Sequence, residues 1–402
     1  RFTTSYEETA AFGEVHFLCV GTPQQKGSPA ADLVYVRSAI QTLAPHLTKP
    51  CLVVGKSTVP VGTAEWVRDE LHRLAPAGQE IRLAWNPEFL REGFAVADTL
   101  RPDRLVVGVT STEAEKTLRE VYAAQIAAGV PFVVTDFATA ELVKVAANAF
   151  LATKISFINA MSEICDVTGA DVTQLAEAIG YDERIGSKFL RAGLGFGGGC
   201  LPKDIRGFMA RAGELGVGQS VAFLREVDEL NLRRRAHVVD LTQDLLGGTL
   251  QGARVACLGA AFKPDSDDVR DSPALVVASA LQIAGAQVRV YDPKAMPNAK
   301  RHFPTLEYCV SSADAVRDAD VVLLLTEWHE FRSLDPSALG GLVAARRIID
   351  ARNVLVQWSI GFNPRGEAAD RNDGVPMSPR HLVIHLRDQQ GCGICRCPST
   401  ID

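Results

Sequence analysis

Hydrophobic residues occur along the chain in short continuous runs that alternate with longer, helically spaced series. Apolar runs lie at 15–20, 51–54, 81–85 and 104–109, and a helically spaced series lies at 33–47. Continuous runs suit strands that are buried on both faces, and the helical series between them suits crossover helices. The first part of the chain is therefore predicted to be an α/β domain with parallel strands.

The middle of the chain has a different pattern from the two ends. Helical spacing extends over 140–167, 171–179 and 220–246, and Gly247-Gly248 ends the last of these series as a helix C-terminus usually ends. Strand-like runs return afterwards, at 254–259, 287–292, 320–325 and 347–350. The predicted layout is α/β, then all-helical, then α/β, with domains at 1–137, 138–247 and 248–355. Residues 356–402 have little periodicity and are predicted to form a poorly packed, atypical tail.

Composition and charge narrow the class of protein. The chain has 402 residues, of which 47% are hydrophobic and 22% are charged, as in ordinary globular proteins. Its net charge is 42 − 48 = −6, which gives no electrostatic reason to expect nucleic acid or an anionic membrane as partner. No apolar run is long enough for a transmembrane helix and no signal peptide is visible. Six of the nine cysteines stand singly, which favours a reducing cytoplasm.

The strongest local signal is the glycine-rich segment 195–204, with the sequence GFGGGCLPKD. Glycines let the backbone approach a neighbour closely, and Cys200 follows them directly, with Lys203 and Asp204 just beyond. A thiol in this position, next to a cation, is typical of an activated nucleophile. The alternative interpretation is a flexible loop that contains an incidental cysteine.

Three further groups could carry chemistry. Lys144 and Asn148 are four residues apart in a helical series, so they share a helix face and could stabilise an oxyanion; a surface lysine is the plainer alternative. Glu88 and Glu92 have the same spacing, so on a helix one of them could serve a ligand or a water, and a solvated acidic helix start is the alternative. Lys263 follows a strand and a turn of small residues, a setting that suits a diphosphate.

Nine segments together resemble the UDP-glucose/GDP-mannose dehydrogenase family, and within it the UDP-glucose 6-dehydrogenases. They run in order from the start of the chain to about residue 355, and no single motif carries the resemblance. The matching segments are 20–23, 56–62, 86–93, 144–148, 182–186, 189–204, 262–272, 326–328 and 350–353. The resemblance implies two Rossmann-like parallel-sheet domains joined by a central all-helical region with a long connecting helix.

The same resemblance implies an NAD-dependent, two-step oxidation of UDP-glucose to UDP-glucuronate. Cys200 would trap the aldehyde as a thiohemiacetal, which is then oxidised to a thioester that water hydrolyses. Lys144 and Asn148 would face the sugar oxygen, and Asp204 would orient Lys144 or a water. Glu88, with Thr58, would position the hydrolytic water.

Binding residues are also implied only by the resemblance, and no metal is expected. Contacts to NAD would come from Thr22, Thr58, Glu92, Lys203 and Arg270. The UDP-sugar would be held by Glu88, Phe89, Leu90, Arg91, Lys144, Asn148, Arg184, Phe189, Leu190, Arg191, Ala192, Gly193, Gly197, Lys263 and Arg352. Arg184 would reach the site of a neighbouring subunit. The long helix near 220–246 would form the core of a homodimer or of a higher homo-oligomer.

Departures from the family pattern leave alternatives open. No GxGxxG turn precedes the strand at 15–20, so we expect an N-terminally truncated NAD-binding domain, poor solubility and no NAD binding at sub-millimolar concentration. Leu201 follows the cysteine where UDP-glucose enzymes often have Phe, which keeps GDP-mannose 6-dehydrogenase as an alternative. An inactive fragment that retains sugar-nucleotide binding or dimerisation is another.

The end of the chain does not resemble the family's ending. A change of reading frame would explain residues 356–402, and so would a genuine extension. The tail also contains histidines and cysteines at spacings that could ligate zinc, which is a weaker hypothesis. These residues are His381, His385, Cys392, Cys395 and Cys397.

Overall fold

A computed structural model describes residues 2–355 and, further along, the backbone of a strand at Val383–His385. The chain divides into two compact units. Unit 1 comprises Arg1–Phe150 and Lys203–Leu224, and unit 2 comprises Leu151–Pro202 and Arg225–Asp402. The predicted three-domain boundaries remain a prediction.

Unit 1 is built on a five-stranded sheet in the order β1-β2-β3-β4-β5. Its strands are β1 (Val15–Leu18), β2 (Cys51–Gly55), β3 (Ile81–Trp85), β4 (Leu105–Val109) and β5 (Phe132–Thr135). Its helices are α1 (Tyr6–Phe12), α2 (Val34–Leu43), α3 (Thr63–Leu74), α4 (Ala95–Leu100), α5 (Thr112–Val121) and α6 (Ala123–Ala127). All neighbouring strands are parallel except β3 and β4, which are antiparallel.

The apolar run of β2 explains why this sheet has helices on both faces. Every residue of β2 is buried, and successive side chains point to opposite faces of a strand. Val53 belongs to the core that contains Ile40 of α2 and Leu71 of α3. Val54 belongs to a separate core with Leu118 of α5. The prediction of an α/β sheet from continuous apolar runs is thereby confirmed.

Four helices follow β5 in the chain. They are α7 (Phe137–Thr168), α8 (Val172–Gly180), α9 (Leu201–Glu214) and α10 (Phe223–Leu245). The start of α7 packs closely on β4 at Gly108, where a Cβ atom would lie 2.6 Å from the carbonyl oxygen of Asp136 and 2.8 Å from Cβ of Ala140. A glycine at this point therefore fixes the position of the first turns of α7 in unit 1. The helical series at 140–167, 171–179 and 220–246 predicted α7, α8 and α10, whereas α9 was not predicted.

Unit 2 contains a six-stranded sheet in the order β11-β10-β9-β6-β7-β8. Its strands are β6 (Arg254–Leu258), β7 (Gln287–Tyr291), β8 (Glu307–Tyr308), β9 (Val321–Leu324), β10 (Arg347–Asp350) and β11 (Val383–His385). Its remaining helices are α11 (Pro273–Ile283), α12 (Met296–His302), α13 (Ser312–Val316), α14 (His329–Arg332) and α15 (Pro336–Gly340). The sheet is parallel except for β11, which pairs antiparallel with β10.

The carboxyl ends of the strands in unit 2 lead into tight, polar turns. Gly259 follows β6 with φ +116°, and a Cβ there would overlap the Thr326 side chain. Asp350 closes β10, where its carboxylate accepts hydrogen bonds from the backbone N–H groups of Val354 (2.8 Å) and Leu355 (2.7 Å). Burial raises the pKa of Asp350. Among the described residues, no helix is long and apolar enough to cross a bilayer.

Candidate active site

Lys144 is the buried cation of unit 1. It lies on α7 and is 5% exposed. Its ammonium is 3.3 Å from Oε1 of Glu88 and 5.4 Å from the centre of the Phe89 ring. Glu88 lies just after the carboxyl end of β3. The ion pair therefore links that end of β3 to α7. A charge this deeply buried requires a partner, and Glu88 supplies it.

Asn148 lies one turn after Lys144 on α7, as the spacing predicts. Its amide Nδ2 donates to Oδ2 of Asp204 at 2.6 Å, and the ammonium of Lys203 pairs with the other carboxylate oxygen. Asn148 and Asp204 are both buried. Asp204 therefore orients Asn148 and Lys203, while Lys144 is paired with Glu88.

The turns after β1 and β2 are bonded to each other. The Thr22 hydroxyl donates to the Thr58 carbonyl oxygen at 2.7 Å, and the Ser57 hydroxyl donates to the carbonyl oxygen of Val20 at 2.6 Å. The two turns thus form one rigid rim at the edge of the sheet where open α/β folds bind ligands.

A cavity of about 310 Å³ opens beside this rim, within unit 1. Thr22, Thr58, Lys203 and Asp204 contribute to its wall, and the remainder is mostly apolar. The apolar part includes Pro23, Val59, Leu142, Val145, Phe208 and Leu215. A mostly apolar cavity with a few convergent polar groups is the usual form of a small-molecule or cofactor site.

The helical interpretation of Glu88 and Glu92 is wrong. Residues 86–92 form an irregular segment, and the next helix, α4, begins only at Ala95. Pro87 accounts for this, since proline lacks an N–H donor and restrains the residue before it. Glu88 instead accepts a hydrogen bond from the backbone N–H of Leu90 at 2.5 Å.

Arg91, proposed from the resemblance to hold the UDP-sugar, forms an ion pair with Asp98 at 2.6 Å, which raises the pKa of Arg91.

Asn86 is a functional candidate that the sequence analysis did not single out. It is 1% exposed, and its Nδ2 donates to the Val106 carbonyl oxygen at 2.7 Å. Its Oδ1 accepts from the Lys56 ammonium at 3.1 Å and the Tyr122 hydroxyl at 2.5 Å. Burial lowers the pKa of Lys56 and raises that of Tyr122 to about 12. The sequence did offer one signal for Asn86: it is a polar residue at the carboxyl end of a predicted strand, two positions before Glu88.

The glycine-rich segment in unit 2 is shaped by close packing. A Cβ on Gly197 would overlap the Asp271 carbonyl oxygen, and one on Gly198, whose φ is +84°, would lie 2.7 Å from the Phe262 ring. The Gly198 N–H donates to the Arg270 carbonyl oxygen at 2.9 Å. These glycines therefore seat the loop against residues 262–271. Cys200 follows them, is exposed, and directly precedes α9 in the chain.

Several residues proposed to hold the UDP-sugar meet in unit 2. The Arg352 guanidinium donates to the carbonyl oxygens of Leu325 (2.8 Å) and Gly195 (3.1 Å) and is 3.3 Å from Glu327. Gly193 donates its N–H to Oδ1 of Asn159 at 2.8 Å. These contacts hold the end of the 189–193 segment beside the turn that follows β10. Phe189, with φ +64°, has a backbone conformation that is uncommon for its residue type.

The other proposed residues of unit 2 lie in two separate places. Lys263 lies with its ammonium 5.5 Å from the centre of the Phe262 ring, and Arg270 forms an ion pair with Asp268 at 2.7 Å. Arg184 is strongly exposed and pairs with Asp182 at 2.6 Å. Nothing among the described residues therefore assigns Arg184 a role inside its own unit.

Asp292 is a second residue that the sequence analysis missed. It ends the β7 run and is 2% exposed. Its Oδ2 accepts from the backbone N–H groups of Ala260 (2.8 Å) and Ala261 (2.9 Å) and from the Trp328 indole (3.0 Å). In dinucleotide-binding folds an acid near this position binds a ribose hydroxyl. Here the carboxylate shapes the turn that precedes Lys263.

Metal ligation has no support among the described residues, where no group of three or more His, Cys, Asp or Glu side chains could hold a metal ion. Four residues of the zinc hypothesis, His381, Cys392, Cys395 and Cys397, lie outside the described part of the chain. Of His385, the fifth, only the backbone is described.

Comparisons with known proteins cover nearly the whole described chain. Three domains of the UDP-glucose/GDP-mannose dehydrogenase family match in order: the NAD binding domain over 1–126, the central domain over 138–233 and the UDP binding domain over 256–357. A UDP-glucose 6-dehydrogenase of Rickettsia conorii is 42% identical over 367 residues, which cover 90% of this chain and 83% of that protein. A UDP-glucose 6-dehydrogenase of Rhizobium meliloti is 41% identical over 356 residues, which cover 88% and 81%.

Solved structures give the same result for the fold. A UDP-glucose dehydrogenase from the archaeon Pyrobaculum islandicum matches with a TM-score of 0.81 and 37% identity, covering 88% of this chain and 79% of that one. A UDP-D-ManNAc dehydrogenase from Pyrococcus horikoshii matches with a TM-score of 0.75 and 27% identity, covering 87% and 79%. The chain is an oxidoreductase that belongs to the UDP-glucose/GDP-mannose dehydrogenase family and carries that family's NAD-binding domain.

Proposed function

We propose that the chain oxidises UDP-glucose to UDP-glucuronate in two NAD-dependent steps, with Cys200 as the covalent nucleophile. The observation that carries this proposal is the face of α7, where a buried ammonium and a buried amide lie one turn apart. Lys144 is paired with Glu88, and Asn148 is held by Asp204. The choice of UDP-glucose as the substrate rests on the similar proteins, which are named UDP-glucose 6-dehydrogenases.

Residues suited to NAD lie at the carboxyl ends of β1 and β2. Thr22, Thr58 and Lys203 line the cavity described above, in the position where an open α/β sheet binds its ligand, so they fit a dinucleotide. Glu92 and Arg270 complete the proposed set. NAD, when bound, accepts a hydride from C6 of the sugar in each of the two oxidations.

Lys144 and Asn148 would act on the oxygen at C6. Transfer of the alcohol proton to a water places negative charge on that oxygen, and attack by a thiolate on the aldehyde does so again. A cation and an amide donor held in fixed positions in a buried site stabilise such charge strongly. Because Glu88 and Asp204 already hold these groups, little reorganisation is needed at the moment of reaction.

Cys200 would form a carbon–sulfur bond to the aldehyde, giving a thiohemiacetal whose oxidation leaves a thioester. The N-terminal end of a helix favours negative charge, and Cys200 stands directly before α9 in the chain. Water then attacks the thioester, releases the carboxylate and restores the thiol. Glu88, with Thr58, would position this water as general base.

Two alternatives to this proposal remain. In the first, the substrate is GDP-mannose, which Leu201 keeps as a candidate. In the second, the chain binds a sugar nucleotide or dimerises but does not catalyse its oxidation. A homodimer in which Arg184 reaches the partner's site, and a cytoplasmic location, remain predictions. The expectation of no NAD binding at sub-millimolar concentration also remains a prediction, which calorimetric titration with NAD tests.

The decisive experiment measures NADH at 340 nm together with the sugar products. With NAD in the millimolar range, the wild-type chain is expected to form two NADH for each UDP-glucuronate and to turn over UDP-glucose faster than GDP-mannose. Cys200→Ser is expected to form no UDP-glucuronate, because a hydroxyl has almost no anion at neutral pH. Cys309→Ser, at a buried cysteine outside the proposed site, is the control and should keep wild-type stoichiometry. Full production of UDP-glucuronate by Cys200→Ser would refute the covalent role.

A further inference from the structure

Helix α3 has no N-terminal cap from its own sequence. Its N-cap is Gly62, in the left-handed region with φ +95°, and no local side chain accepts a hydrogen bond from its first amides. The first N–H groups of a helix need acceptors when they are buried. The acceptor here comes from another helix.

Glu141 of α7 supplies that cap. Its Oε2 accepts from the Gly62 N–H at 2.7 Å, and its Oε1 accepts from the Ala64 N–H at 2.6 Å. The side chain is 2% exposed, so both bonds form away from water. Both oxygens are thus used in short, charge-assisted bonds to one helix end.

The capped start of α3 directly follows the turn at 57–62, which contributes to the wall of the cavity. Residues 57–62 connect β2 to α3 and carry Thr58. Arg211 of α9 holds the same turn from another direction, since its Nε donates to the Val61 carbonyl oxygen at 2.9 Å. Glu141 lies three residues before Lys144, so one helix carries both the cap and the buried cation.

We propose that Glu141 is a positioning residue, which fixes turn 57–62, and with it Thr58, for NAD by capping α3 from α7. The role in NAD binding rests on the function proposed above. The cap itself is a property of the fold and can be measured without catalysis.

Ionisation of Glu141 sets the strength of the cap. Burial raises the pKa of Glu141 to about 7, against the lowering effect of its hydrogen bonds to Gly62 and Ala64. Among the charged groups that face it, Glu65 of α3 raises this pKa and Arg211 of α9 lowers it. A pKa above that of a solvated glutamate means that the closed turn holds the proton of Glu141 more tightly than an opened, hydrated turn does. The turn should therefore loosen as the pH rises through about 7, where the buried carboxyl becomes charged.

The test compares wild type, Glu141→Gln and Glu65→Gln by hydrogen–deuterium exchange of segment 57–66 and by steady-state kinetics. At pH 8, Glu141→Gln is expected to lower the protection of the Gly62 and Ala64 amides at least tenfold. Its KM for NAD should rise at least fivefold, with kcat changed less than threefold, since a glutamine offers only one oxygen. Glu65→Gln keeps the cap and should match wild type at this pH.

A pH series adds a second result that does not depend on the Glu141→Gln variant. Protection of the two amides in wild type, corrected for intrinsic exchange, should be lower at pH 8 than at pH 6. In Glu65→Gln the midpoint should move to lower pH, because a like charge has been removed. This series decides the matter even where Glu141→Gln fails to fold.

Two results would overturn the proposal. One is wild-type protection that does not change between pH 8 and pH 6. The other is a folded Glu141→Gln protein with wild-type exchange, or with reduced kcat and an unchanged KM for NAD. Failure of the function proposed above is distinguishable, since it removes the UDP-glucose turnover and leaves the exchange result intact.

Discussion

Replacing Lys144 by alanine tests whether the buried cation acts in the transition state. Lys144 is 5% exposed and its ammonium is 3.3 Å from Glu88, so this group is fixed before substrate arrives. A preorganised donor to developing negative charge contributes about 3 kcal/mol. At about 1.4 kcal/mol for each factor of ten, kcat should fall roughly 150-fold. We expect the KM for UDP-glucose to change less than threefold, because the developing charge is absent from the ground state.

The assay is steady-state NADH formation at saturating NAD, with UDP-glucose varied. Lys116→Ala, at an exposed position of α5, is the matched control and should keep wild-type kinetics. Circular dichroism must show that Lys144→Ala remains folded, because removing one member of a buried pair leaves Glu88 without its cation. An unchanged kcat with a raised KM would show that Lys144 only binds substrate.

The remaining predictions concern stability, and chemical denaturation measures each of them. Gly198→Ala should cost about 3 kcal/mol, because a Cβ there meets the Phe262 ring at 2.7 Å and φ is +84°. Its control is Gly186→Ala, which has φ +69° but nothing within 4 Å and should cost about 1 kcal/mol; equal costs would refute the packing argument. Asp292→Asn should cost about 2 kcal/mol, since an amide nitrogen would face N–H donors, and a cost near zero would contradict this account.

The sheets and the long helices could be predicted because their signals are local. The run at 51–54 is buried on both faces in β2, as a continuous apolar run requires. The helical series at 140–167 became α7, which extends only a few residues beyond the prediction at its start. Lys144 and Asn148 share a helix face for the same reason. These features depend on periodicity within one segment, which the sequence displays directly.

Other features depend on contacts between distant residues, and the sequence does not display those. The 201–214 segment follows a glycine-rich stretch and contains Pro202, and no helix was predicted there. Proline is nevertheless well tolerated in the first turn of a helix, and α9 begins at Leu201. Glu88 and Glu92 have helical spacing in a segment where Pro87 disfavours a helix. Asn86, Glu141 and Asp292 each bind backbone groups that lie 20 to 79 positions away in the chain.

These long-range contacts explain how unit 1 prepares its part of the site before any ligand binds. Each buried charge on the face of α7 has a fixed partner: Lys144 has Glu88, and Glu141 has the first amides of α3. Asn148 is neutral, and Asp204 orients it. Removing any one partner would leave a buried polar group unsatisfied, at a cost of about 1–3 kcal/mol. The same bonds that stabilise the fold therefore hold the candidate catalytic groups in place, so substitutions of the partners should lower activity and stability together.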